Sequence, residues 1–112
     1  MEENQNEIPQ PQISVKKSIV VYGKHEYIVK NVLDLLARAE YNGTGYVRLE
    51  EVLDHIRLSS FDAVFIGGGV DPHDRLQIKE LLSKEYKHAK IIEHYGGPAT
   101  IIPEVKHALE EN

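Results

Sequence analysis

Phe61-Asp62-Ala63-Val64-Phe65-Ile66-Gly67-Gly68-Gly69-Val70-Asp71-Pro72-His73-Asp74 decides how the rest of the chain is read. A short apolar run, Ala63 to Ile66, enters three glycines, and helix-start residues follow at once. Continuous apolar runs of this length are the mark of strands buried on both faces of a parallel sheet. Asp71 suits an N-cap and Pro72 the first helical position. Asp74 stands three residues after the cap, where a capping box closes. A strand, a tight turn and a helix in that order make one half of a βαβ unit. In open α/β sheets ligands bind beyond the carboxyl ends of such strands.

Working outward, the same rhythm repeats. Ile19-Val20-Val21-Tyr22 reads as a buried strand ending at Gly23. From Lys24 to Tyr41, Ile28, Val32, Leu35, Leu36 and Ala39 recur at helical spacing. Asn42-Gly43 offers the left-handed residue to end that helix. Gly45 to Leu49 reads as a second strand, and Glu50 to Leu58 as a helix through Val52, Leu53 and Ile56. After the third strand and its helix, with Ile78, Leu81 and Leu82 inward, Lys90 to His94 is a fourth strand. A last short helix is expected from Pro103 to Glu110. Alternation of this kind implies a three-layer, doubly wound α/β fold with helices on both faces. The four-stranded parallel sheet is expected in the order 2-1-3-4. Residues 1–16 read as a flexible polar tail, with Ile13 to Val15 as a candidate edge-covering strand. Residues 17–112 read as one domain.

Composition narrows the function. The chain has 112 residues, a net charge of -5 and no cysteine. Negative charge disfavours nucleic acid and anionic membranes, and no apolar run is long enough to span a bilayer. Lack of cysteine removes thiolate zinc sites and cysteine nucleophiles, and fits a cytoplasmic setting. Ser59, Ser60 and Thr100 stand in no nucleophile-elbow context and suit turns and caps.

Over residues 18–98 the pattern resembles the receiver domain of bacterial response regulators. "SIVVYG" stands as the first strand, a long amphipathic helix follows, and "FDAVFIGGG" holds the place of the Asp-led third strand. The resemblance implies a flavodoxin-like fold and a signalling role. The chain departs from the family where phosphate is handled. Tyr22, Gly23 and Lys24 stand where receivers place magnesium-binding acids. Gly67 stands at the phosphorylated aspartate, and His94 or Tyr95 at the hydroxyl residue. The fifth strand with its lysine has no counterpart, so the resemblance implies a degenerate receiver.

Three loops converge on one edge of such a sheet. They carry Gly23, Lys24 and His25; Gly67, Gly68, Gly69, Asp71 and His73; and His94, Gly96 and Gly97. Glycine N–H groups before a helix suit an anion such as phosphate or a nucleotide phosphate. Against this, the spacing matches no phosphate-loop fingerprint, Asp71 repels an anion, and glycines also serve turns that need unusual dihedrals. The histidines lack the spacing of a metal motif, so no metal or cofactor is expected, and His55, His88 and His107 read as surface residues. The expected function is a non-enzymatic regulatory or protein-interaction domain, its protein partner unnamed by the sequence. The alternative is a small-ligand binding module. A chain ending at Asn112 also leaves the fourth strand at an edge, bordered by apolar residues. A homodimer through Ile91, Ile92, Ile101, Ile102, Val105 and Leu109 is therefore expected.

Overall fold

In the computed structural model, which describes residues 16–110, strands and helices alternate as the hydrophobic periods require. They are β1 (Ser18–Tyr22), α1 (Glu26–Arg38), β2 (Asn42–Tyr46), α2 (Leu49–Leu58), β3 (Ala63–Ile66), α3 (Pro72–Glu85), β4 (Lys90–Glu93) and α4 (Ile101–Ala108). A short 3-10 turn, Pro98–Thr100, leads into α4. The four strands form one parallel sheet in the order β2-β1-β3-β4. Residues 1–15 of the expected tail, its edge-covering strand included, lie outside the described residues.

Alternate residues of the central strands feed two cores. Ile19, Val21, Ala63 and Phe65 meet Val29, Val32 and Leu36 of α1 and Ile101 and Val105 of α4. Val20, Tyr22, Val64 and Ile66 meet Val52 and Ile56 of α2 and Ile78 and Leu82 of α3. This is the pleat's period of two written into an all-apolar run.

The second strand begins three residues earlier than its apolar content suggests. Asn42-Gly-Thr-Gly-Tyr46 has little strand propensity, yet it pairs with β1 from Ser18↔Asn42 to Tyr22↔Tyr46. The outer edge of buried β1 must find hydrogen-bond partners, and that need overrides propensity. The glycines also let α1 come close. A Cβ on Gly45 would lie 2.3 Å from a Val29 methyl, and one on Gly43 2.8 Å from a Leu33 methyl. Leu49, expected in the strand, instead opens α2.

Asn42-Gly43 does not end α1. Glu40 takes the left-handed conformation at φ 68°. Its N–H donates to the Ala37 carbonyl, and the Tyr41 N–H donates to the Leu36 carbonyl, the double bond of a Schellman cap. Tyr41, buried against the first core, follows at once.

The last helix starts at Ile101, two residues ahead of its expected start. It packs beside α1 on the first core, so part of the expected homodimer seam is covered within the chain itself. Ile92, Ile101 and Val105 are buried within the chain, while Ile91, Ile102 and Leu109 pack against its cores and are half-buried. α4 shields the face that the sequence left bare. Among the described residues no helix is long and apolar enough to cross a membrane.

Candidate functional site

The carboxyl ends of β1, β3 and β4 meet at one edge, and each end is fastened to its neighbour. The Gly67 N–H donates to the Tyr22 carbonyl at 2.9 Å, and the His94 N–H to the Ile66 carbonyl at 2.9 Å. Gly67 to Val70 forms a turn closed by the Val70 N–H on the Gly67 carbonyl at 3.2 Å.

No described glycine has positive φ, so unusual dihedrals are not what the three glycines supply. Gly68 supplies close approach: a Cβ there would lie 3.2 Å from the His94 carbonyl oxygen. Gly67 would meet the Tyr22 carbonyl oxygen at 3.6 Å. Gly68 thus lets the turn after β3 lie against the end of β4, where a side chain would crowd it, while the Gly67 distance is an ordinary contact.

The acidic groups of this edge are committed internally. Asp71 caps α3 by accepting from the His73 N–H at 2.7 Å. Asp74 does not return to the cap; it accepts the Tyr22 hydroxyl at 2.7 Å. Burial first, then that bond to Asp74, hold the Tyr22 phenol protonated far above its ordinary range. Glu93 accepts from Arg75 at 3.0 Å, Lys79 at 2.9 Å and the Tyr95 hydroxyl at 3.1 Å. These bonds, that from Lys79 above all, hold its carboxyl below the usual range against the opposing effect of burial.

Arg75 is the residue the sequence reading missed. It is buried, and its guanidinium donates to the Gly67 carbonyl at 2.5 Å, the Val70 carbonyl at 3.2 Å and Glu93. The Tyr95 ring stacks on it, 4.7 Å from centroid to Cζ. One side chain therefore ties the glycine turn to the end of β4. A signal was present: Arg75, Ile78 and Leu82 share one helical face, so a charge sits on an apolar stripe.

His94 is the second buried polar residue of the edge. Its ring stacks on Phe65 at 5.4 Å, and Nδ1 donates to Glu104 of α4 at 2.7 Å. Carboxylate on one nitrogen fixes the tautomer and turns Nε2 away as the free position.

A cavity of about 370 Å³ opens at this edge, with His94 in its lining. Gly23, Lys24, His25, Gly67, Gly68, Gly69, His94 and Gly96 of the candidate site all line it, with Ile28, Val32, Leu35, Phe65 and Ile101 as an apolar wall. Asp71, His73 and Gly97 do not. His73 is exposed beside Gln77, 3.2 Å away, and the Gly97 carbonyl accepts from the Thr100 hydroxyl at 3.3 Å. Among the described residues no cluster of three or more His, Cys, Asp or Glu is arranged to hold a metal.

No protein-family model matches this sequence, and no curated protein matches it significantly. Solved structures do match. The signal receiver domain of an HD domain-containing protein from Pseudomonas fluorescens Pf-5 superposes with a TM-score of 0.64 at 16% identity, over 87% of this chain and 78% of that one. A response regulator from Thermotoga maritima superposes with a TM-score of 0.62 at 18% identity, over 84% and 80%. The chain has the receiver-like, flavodoxin-like fold.

Proposed function

We propose that this protein is a non-enzymatic regulatory domain of the receiver fold that does not switch by aspartyl phosphorylation. One observation carries the reading. At the strand ends stand Tyr22-Gly23-Lys24, Gly67 and His94, while the nearby carboxylates of Asp71, Asp74 and Glu93 are already engaged within the fold. Phosphoryl transfer to a carboxylate needs a free nucleophilic oxygen and a cation to neutralise the incoming charge. Treatment with acetyl phosphate and magnesium, followed by mass spectrometry, tests it. No aspartate between Asp62 and Asp74 should gain a phosphoryl group; a labelled aspartate there sinks the reading.

A second reading is favoured by the cavity. The carboxyl edge is a small-ligand site, and the domain reports on what fills it. Its volume falls in the lower part of the ~300–1,000 Å³ range of small-molecule sites. Asp71, the expected obstacle to an anion, has its side chain on the His73 N–H and does not line the cavity. Stabilisation against heat by a bound compound is the measurement that separates a ligand site from a bare protein-interaction surface.

A further inference from the structure

The cavity at the carboxyl edge is chemically two-sided. Ile28, Val32, Leu35, Phe65 and Ile101 make one side hydrocarbon. The titratable residues that line it are Lys24, His25 and His94, with no Asp or Glu among the lining residues, in a chain of net charge -5.

His94 is more than nine-tenths buried. Its Nδ1 is taken by Glu104, and among the described residues Nε2 has no hydrogen-bond partner. A buried polar atom without a partner is uncommon and calls for one. Gly68 and Gly69 are the central residues of the turn that Val70 closes on Gly67, and their N–H groups likewise have no partner among the described residues. The two glycine N–H donors, the unpartnered His94 Nε2 and a hydrocarbon wall thus border one space.

We propose that this cavity binds a small monocarboxylic acid with an apolar body. The carboxylate sits on His94 Nε2 and the Gly68-Gly69 turn, and the body lies on Ile28, Val32, Leu35 and Ile101. The inference rests on the reading of the carboxyl edge as a ligand site. In the complex both ring nitrogens donate, Nδ1–H to Glu104 and Nε2–H toward the ligand. Glu104 on Nδ1 neutralises the ring from behind, and Nε2–H donates to the carboxylate in a charge-assisted bond. Inorganic phosphate uses none of the hydrocarbon wall.

The test is an amide-resolved NMR titration of the whole chain with 4-phenylbutyrate, its neutral amide and inorganic phosphate. The acid should shift Gly68, Gly69 and His94 saturably and bind roughly tenfold or more tighter than the amide, the ratio expected of one charge-assisted hydrogen bond. His94→Gln should abolish the preference for the acid. Ile28→Glu changes a rim residue that is 39% exposed, so the fold should survive. It places a negative charge at the mouth and should weaken the acid more than the amide. Equal binding of acid and amide, or shifts centred on Ser59 and Ser60, overturns the proposal. Phosphate matching the acid at the same resonances also overturns it, while leaving the edge a ligand site. No shift with any of the three probes sinks both readings.

Discussion

The Tyr22 hydroxyl donates to the Asp74 carboxylate at 2.7 Å and so joins the last residue of β1 to the first turn of α3. Tyr22 is 5% exposed, and the bond is partly buried. Tyr22→Phe leaves the carboxylate short of a partner and should cost about 1–3 kcal/mol, read in denaturant unfolding. The phenol's raised pKa has a pH signature. Its stabilising effect is complete below the unfolded value of 10.0 and is lost as pH rises from there toward the higher folded value. The Tyr22→Phe difference should therefore narrow in alkali.

Arg75 holds the glycine turn against β4. Arg75→Met strips the Gly67 and Val70 carbonyls and Glu93 of a shared donor, and should cost about 2–4 kcal/mol. Arg75→Lys, which lacks the fork, should recover only part of this. Glu93, whose pKa is lowered, contributes stability present above its ordinary value of 4.5 and lost as pH falls through the folded value. Acid unfolding of Glu93→Gln should be correspondingly less steep.

Gly45 and Gly97 should respond oppositely to alanine. At Gly45 the new Cβ meets Val29 and Leu33, at 2.3 and 2.9 Å, so α1 must shift. A loss of about 1–3 kcal/mol is expected, as in overpacked cores. At Gly97 nothing lies within 4 Å, and the change should be neutral or mildly stabilising through the unfolded chain. Thermal melts of the two variants decide it.

Glu40 closes α1 with φ at 68°, a conformation that costs an L-residue about 1–2 kcal/mol and glycine almost nothing. Glu40→Gly should raise stability by roughly 0.5–1 kcal/mol, after allowance for the freer unfolded chain. A drop in the melting temperature would show that the Glu40 side chain matters more than its backbone.

His55 is half-buried, and the Tyr46 hydroxyl lies 2.8 Å from its Nδ1. Burial lowers its pKa, so the folded state resists its protonation. Its contribution to stability is present above 6.5 and is lost as pH falls below it, where the unfolded chain takes up the proton. Replacing His55 with Gln should flatten the stability profile as pH falls below 6.5.

The layered architecture was legible because its signal is local. Apolar runs such as Ile19–Tyr22 and Ala63–Ile66, short and each ending at glycine, read as strands buried on both faces, and the helical stripes between them imply parallel crossovers. The glycine edge was legible for the same reason, since it follows from where those strands end. What lay beyond the sequence was set by demands that cross the chain. β2 formed from a weak glycine-rich segment because β1 needed a partner and α1 needed room. Arg75 and Glu104 joined the site because folding brought them to Gly67 and His94, eight and ten residues away in sequence. Asp74 left its local cap for Tyr22, 52 residues distant. Periodicity fixes which face of an element is buried; only the assembled sheet decides which polar group each buried donor meets.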